Sequence, residues 1–265
     1  MEFQGKVALV TGGGSGIGAA VVRKFARAGA SVIAADFKGE GAQALAASLT
    51  AQGLSCTPLS LDITDERAVE AAVDDIVQRY GGLDHVVSCA GIASRHTIGQ
   101  MPVETWRRVI DVNLTGAFVM LKYTEAAMAA RGGGSLTVIS SIAAEHIAYL
   151  SGAHYASSKA ALTGLVRHAA FELGRRGIRV NAVGPGPMSN RMGGGDIDAD
   201  RQAAAARNLP LQRVVEPEDI AEVCAFLASP AARAITGVYL PVDCGFLTGR
   251  GVPYRPYFEA HGVEF

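Results

Sequence analysis

Lys6-Val7-Ala8-Leu9-Val10 runs straight into Thr11-Gly12-Gly13-Gly14-Ser15-Gly16-Ile17-Gly18, and this stretch decides the fold. A short apolar run ends in a glycine-dense turn. Ile17, Ala20, Val21 and Phe25 then recur at helical spacing over Gly16–Ala28. That order is strand, tight turn, helix. Glycines at such a junction let the backbone approach a pyrophosphate, which the positive end of the helix dipole favours. The turn lacks a Gly-Lys-Ser/Thr ending, so ATP and GTP are disfavoured.

Outward from that unit the pattern repeats. Apolar runs at Ser31–Ala35, Cys56–Leu61, His85–Ser88, Ser135–Ser140, Arg179–Val183 and Val238–Val242 alternate with helical patterns. The helices are expected at Ala42–Ala51, Glu66–Tyr80, Val103–Ala130, from Tyr155 onward, and Asp219–Ala228. Strands alternating with helices imply βαβ units, a mainly parallel sheet and right-handed crossovers. The expected fold is therefore α/β, a doubly wound parallel sheet of about seven strands with helices on both faces. No linker or compositional break divides the chain. One dinucleotide-binding and catalytic domain is expected over residues 1–250, followed by an aromatic tail at 251–265. The glycine-rich segment from Pro185 to Asn208 reads as a substrate lid at about 186–208, because plain loops of that length are uncommon.

The bulk properties exclude several classes. Among the 265 residues, 24 Lys and Arg are interspersed with 25 Asp and Glu, so neither a nucleic-acid surface nor a polybasic membrane anchor is expected. The amino-terminal run Val7–Val10 is too short for a signal peptide or a membrane span. Cys56, Cys89, Cys224 and Cys244 lack metal-type spacing and read as free thiols of a cytoplasmic protein, with no metal site.

Two further features carry chemistry. Asp36 ends the second strand about twenty positions beyond the glycine turn, where a carboxylate accepts the adenosine ribose hydroxyls and repels a 2′-phosphate. Ser15 offers no cation inside the turn, which favours NAD over NADP; Lys38 is the one nearby group that weakens this. Tyr155 and Lys159, four apart at the head of a helix, share one face. An adjacent ammonium favours the phenolate, and a Tyr so tuned exchanges a proton with an alcohol or ketone. Asp62 ends the third strand as an adenine-side contact or as a cap for the helix after Thr64.

With these motifs in order, the sequence resembles the short-chain dehydrogenase/reductase family from roughly Gly5 to Gly245. Thr11–Gly18 is similar to its TGxxxGxG turn, with Gly12, Gly16 and Gly18 as the motif glycines. Asp111-Val112-Asn113, Ser140-Ser141, Tyr155-xxx-Lys159 and Asn181–Gly186 follow in the family's sequence. The resemblance implies an NAD-dependent hydride transfer to or from a secondary alcohol or ketone, small and cyclic or hydroxylated. It implies Tyr155 as general acid/base, Lys159 lowering its pKa and holding the nicotinamide ribose, Ser141 orienting the substrate oxygen and Asn113 supporting a relay water. Ser140 is a lesser rival to Ser141. The implied cofactor contacts are Gly12, Ser15, Gly16, Ile17, Gly18, Asp36, Asp62, Ile63, Ala90, Gly91, Tyr155, Lys159, Pro185, Gly186, Met188 and Asn190. The implied substrate contacts are Ser141, Ala143, His146, Tyr155, Gly186 and Met192, and the implied assembly is a homotetramer built on the Trp106–Ala130 and Tyr155–Arg175 helices. Ser88-Cys89 replaces the amides of the family's NNAG segment, Asn190 replaces a Thr, and Cys244 replaces a Gly. The alternatives are an NADP-dependent 3-oxoacyl carrier-type ketoreductase and a dinucleotide-sensing protein without turnover.

Overall fold

In a computed structural model of the chain, strand β1 (Val7–Thr11) is buried along its whole length. The structure describes residues 2–147, 151–189, 197–249, 252 and 254–260. Successive side chains of a strand face opposite ways. Val7 and Leu9 therefore enter one apolar core, and Ala8 and Val10 enter another on the opposite face. That two-sided burial explains why β1 is continuously apolar rather than alternating.

The glycine turn leads into α1 (Gly16–Arg27), β2 (Ser31–Asp36) and α2 (Glu40–Thr50), then β3 (Cys56–Ser60), α3 (Glu66–Tyr80) and β4 (His85–Ser88). The second half follows as α4 (Val103–Ile110), α5 (Gly116–Ala129), β5 (Gly134–Ile139), α6 (Gly152–Leu173) and β6 (Ile178–Pro185). It ends with α7 (Ala199–Ala206), α8 (Pro217–Ala228), β7 (Tyr239–Val242), α9 (Phe246–Gly249) and α10 (Tyr254–Glu259). The sheet order is β3-β2-β1-β4-β5-β6-β7 and every pair is parallel. The seven strands expected from the sequence all form, within one or two residues of their expected bounds.

Helices α1 and α8 cover one face, with Val21, Val22, Phe25, Ile220 and Leu227 fully buried. Helices α3, α5 and α6 cover the other, through Val69, Met120, Leu162 and Val166. Each such Val, Leu, Ile, Phe or Met contributes about 1.5–3 kcal/mol on leaving water. At the amino ends of the strands, the buried Asp84 carboxylate accepts from Lys6 Nζ (2.9 Å), the Val7 N–H (2.9 Å) and Arg131 Nη2 (2.8 Å). It knits β1, β4 and the end of α5 together.

The structure departs from the sequence reading in three places. The expected Val103–Ala130 helix contains a π-helical turn, Asp111–Thr115, in which the Gly116 N–H donates to the Asp111 carbonyl. The lid segment is not a plain loop, since it holds α7, and Met188 bridges Val215 in parallel. The tail carries α10, which has no apolar periodicity long enough to announce it. Among the described residues no helix is long and apolar enough to cross a membrane.

Candidate functional site

Strand order reverses between β1 and β4, so the connections that leave their carboxyl ends diverge to opposite faces and open a crevice. A cavity of about 430 Å³ lies there. Gly12, Ser15, Gly16, Ile17, Gly18, Asp36, Asp62, Ile63, Ala90, Gly91, Ser141, Tyr155, Lys159, Pro185, Gly186 and Met188 all line it.

At one end, local sterics require the glycines. Gly12 and Gly16 take positive φ of 64° and 50°, and a Cβ on Gly18 would collide with the Gly12 carbonyl. The α1 amino terminus opens on the cavity with Ser15 as an N-cap that makes no side-chain bond, and with no acidic residue in the first turn. Its first amides thus lack a side-chain acceptor. Asp36 is fixed by the N–H groups of Gly14 (3.0 Å) and Lys38 (3.2 Å). Asp62 proves to be both a cavity residue and a turn residue: its Oδ1 accepts the Thr64 N–H (2.9 Å) and hydroxyl (2.7 Å). Partial burial pushes its pKa up, but the Thr64 bonds and the Arg108 charge bring it below the usual carboxylate value. It does not cap the following helix; Asp65 does, accepting from Arg67 and Ala68 N–H.

At the other end lie Ser141, Tyr155 and Lys159. The last two are buried on one face of α6. Lys159 Nζ donates to the Ile139 carbonyl at 2.8 Å and stands 5.6 Å from the centre of the Tyr155 ring. Burial lowers the Lys159 pKa to about 8, with Cys89 pulling slightly the other way. Tyr155 differs from expectation. Burial holds its phenol above the usual value, and the neighbouring Ser141 side chain draws it partly back. Lys159 presents its charge to the ring and to a backbone carbonyl.

Ser140 and Ser141 separate cleanly. The Ser140 hydroxyl donates to the Lys159 carbonyl (2.8 Å), tying β5 to α6, and is spent. Ser141 Oγ accepts the Ala143 N–H (3.1 Å), which leaves its own proton for another oxygen. Tyr239, from β7, donates its hydroxyl to the Ser141 carbonyl at 2.9 Å.

Asn113 does not line the cavity. It stands behind Gly91, its Oδ1 accepting the Ile92 N–H (2.8 Å) while Nδ2 donates to the Ile92 carbonyl (3.0 Å) and Ser158 Oγ (3.0 Å). Its amide is therefore occupied in tying the segment after β4 to α6, through Ser158, whose hydroxyl donates to the Tyr155 carbonyl (2.7 Å). Ala143 and His146 also lie off the cavity wall. Ala143 is buried beneath Ser141, and the His146 ring packs edge-on against Phe246 at 5.0 Å while Nδ1 pairs with the Ile147 carbonyl. Asn190 and Met192 lie outside the described residues.

The altered Ser88-Cys89-Ala90-Gly91 segment is held to the end of β1 through its backbone. The Cys89 N–H donates to the Thr11 carbonyl (3.2 Å) and the Ala90 N–H to the Thr11 hydroxyl (3.3 Å). Cys244 takes φ 54°, a left-handed conformation that glycine adopts without strain. Sequence reasoning missed Tyr239, Arg108 and Phe37. The first reads as an ordinary strand residue, and nothing local pairs Arg108 with Asp62. Phe37 was legible, as the residue next to Asp36.

Residues 12–247 match the family model described as enoyl-(acyl carrier protein) reductase. Cis-4-hydroxycyclohexanecarboxylate dehydrogenase of Sinomonas cyclohexanicum is 39% identical over 245 residues, covering 92% of this chain and 97% of that protein. D-threitol dehydrogenase of Mycolicibacterium smegmatis is 36% identical over 250 residues, covering 92% and 94%. The crystal structure of a short-chain type dehydrogenase/reductase from Mycobacterium marinum aligns with a TM-score of 0.83 and 32% identity, over 92% of this chain and 96% of that one. With 92% of its length matched by each of these relatives and by a solved structure, the chain belongs to the short-chain dehydrogenase/reductase family, oxidoreductases that act on CH–OH groups with a nicotinamide cofactor.

Proposed function

We propose that this chain oxidises a secondary alcohol, small and cyclic or bearing further hydroxyls, using NAD, with Tyr155 as the general acid/base. The main support is that Tyr155, Lys159 and Ser141 line the same cavity as the glycine turn and Asp36. The relatives named for a hydroxycyclohexanecarboxylate and for threitol support a ring or polyol substrate. The donor set suits the cofactor: uncapped α1 amides for a pyrophosphate and the Asp36 carboxylate for a ribose diol. When bound, the nicotinamide supplies the carbon that takes up hydride.

The protein residues handle the proton. Ser141 donates to the substrate oxygen, and Tyr155 as phenolate takes the hydroxyl proton while the C–H electron pair departs. Burial opposes that phenolate, so positive charge must stabilise it. Lys159 supplies it while protonated, below about pH 8, and a bound oxidised nicotinamide would add to it. Asn113 holds the Ile92 segment and α6 in register. It stands in the π-helical turn, a kind of irregularity frequent at functional sites.

The chain acts as one catalytic domain over residues 1–250, with 186–208 as a flap. The cytoplasm is the fitting compartment for its free cysteines. A homotetramer accords with Phe118 on α5 and Phe171 on α6, which are 51% and 87% exposed. The alternative, an NADP-dependent ketoreductase of carrier-bound 3-oxoacyl groups, draws on a 3-oxoacyl-[acyl-carrier-protein] reductase of Thermotoga maritima, 36% identical over 253 residues, and on Lys38 and Arg108 in the cavity wall. The Asp36 carboxylate would meet a 2′-phosphate as a like charge and weighs against it.

Titration with NADH and NADPH, followed by turnover of cyclohexanols and polyols, tests both. NADH should bind tighter. Tyr155→Phe should bind NADH as the parent does and lose about a hundredfold or more in turnover. Unchanged oxidation rates in that variant would refute the mechanism.

A further inference from the structure

A second line of hydrogen bonds reaches Tyr155 from the side away from Lys159. His154 is wholly buried in the first turn of α6. Its Nδ1 accepts the Tyr155 N–H at 2.8 Å, and its Nε2 lies 2.7 Å from Ser94 Oγ. Ser94 Oγ is in turn 3.1 Å from His96 Nδ1. Ser94 and His96 belong to the segment after β4, whose Ile92 is held by Asn113.

The bond from Tyr155 sets the direction of the line. A backbone N–H only donates, so His154 Nδ1 carries the lone pair and the proton sits on Nε2. Nε2–H then donates to Ser94 Oγ. The Ser94 hydroxyl keeps its own proton, which it can donate to His96 Nδ1. Burial foremost lowers the His154 pKa, against an upward pull from the Gly152 backbone, which favours the neutral ring. Space agrees. A Cβ on Gly152 would come within 3.1 Å of both the His154 ring and the His96 carbonyl, so the turn and the loop are packed on each other.

We propose that His154 is a positioning residue for Tyr155, locked in a single tautomer by Ser94 and His96, so that the loop after β4 sets where the phenol stands. This rests on Tyr155 being the acid/base. With Asn113 acting from the opposite side of the loop, the segment 92–96 is clamped to α6 at two points. A substrate that presses on this loop acts on the phenol through the His154 bond.

The tautomer is read directly by long-range proton–nitrogen NMR of the ring nitrogens in the full-length protein labelled at histidine. His154 should show Nε2–H and a bare Nδ1, and should take its proton at lower pH than an ordinary imidazole. An Nδ1–H tautomer, facing the Gly152 carbonyl, or a solvent-like titration would overturn the proposal whatever Tyr155 does. In kinetics, Ser94→Ala should lower kcat about five- to tenfold, with NADH affinity within about twofold and Ser94→Thr restoring most of the rate. Equal kcat in Ser94→Ala and the parent would also overturn it. Retained activity in Tyr155→Phe would instead refute the acid/base assignment, leaving the NMR result to stand alone.

Discussion

His85→Phe should flatten the chain's loss of stability in mild acid. His85 opens β4, is 6% exposed, and packs its ring 4.9 Å from Phe3 and 6.0 Å from Phe25. Nδ1 pairs with Ser135 Oγ at 3.0 Å, whereas Nε2 is the one buried side-chain nitrogen or oxygen without a partner among the described residues. A proton placed there would be a buried charge among phenyl rings. Burial accordingly lowers the pKa from 6.5 to about 4, with Asp84 opposing and Lys6 and Arg179 assisting. In the unfolded chain the ring takes a proton near 6.5. As pH falls below that value the unfolded state binds the proton first, so the stability of the native state declines until the native ring itself titrates near 4. Nothing is lost above 6.5. The full span is worth about 3 kcal/mol, of which about 2 kcal/mol falls between pH 7.5 and pH 5. The assay is urea unfolding at those two pH values. The Phe ring suits the aromatic neighbours but leaves Ser135 without its partner, so the variant starts about 1 kcal/mol less stable at the higher pH. Its drop toward acid should then be about 2 kcal/mol smaller than that of the parent. His154 contributes in the same direction to both proteins and cancels. Equal drops would refute the account of His85.

Asp36→Asn removes the charge that, on the proposed NAD reading, would repel a 2′-phosphate, while keeping an acceptor for the Gly14 N–H. NAD affinity should fall about tenfold and the preference over NADP should shrink by more than that, read from the ratio of kcat/KM values. Tyr239→Phe deletes one hydrogen bond to the Ser141 carbonyl and should lower kcat about fivefold without moving the dinucleotide Kd, measured by steady-state kinetics and fluorescence titration. Gly18→Ala drives a methyl group into the Gly12 carbonyl, so the turn must deform. Dinucleotide binding should be lost, and thermal unfolding should show destabilisation of about 1–3 kcal/mol.

What could be read from the sequence was what is local. The glycine turn, Asp36 and the Tyr155–Lys159 pair each lie within one β–α junction or one helical turn, so spacing alone brings them together. The alternation of strand and helix is equally local, and the buried strands announce themselves as unbroken apolar runs. Distant partners were illegible. Nothing around Tyr239 points to Ser141, and nothing around Thr11 says that its hydroxyl and carbonyl will hold the backbone of Cys89 and Ala90. The state of the phenol was likewise hidden, because burial depends on the whole fold while the Lys159 spacing does not. Asn113 was legible as a member of a pattern, but its bonds to both polar groups of the Ile92 backbone come from a loop that only the tertiary structure brings close. The helices Ala199–Ala206 and Tyr254–Glu259 were missed because short, alanine-rich or aromatic segments carry no clear apolar stripe.

The π-helical turn at Asp111–Thr115 means that the helical span from Val103 to Ala129 holds one residue more than an unbroken α-helix would need for the same turns. Each residue advances an α-helix by about 100°, so the extra one sets the phase between its two halves. Upstream, Arg108 is turned toward Asp62 and the cavity. Downstream, Gly116 gives way to the Ile63 side chain, where a Cβ would clash. A single deletion inside the turn would let the ladder close as an α-helix and rotate one half against the other. Asn113 could then no longer face Ile92 while both flanking faces kept their neighbours. At this point the site depends on residue count as much as on residue identity, and a change of length is the perturbation it is least able to absorb.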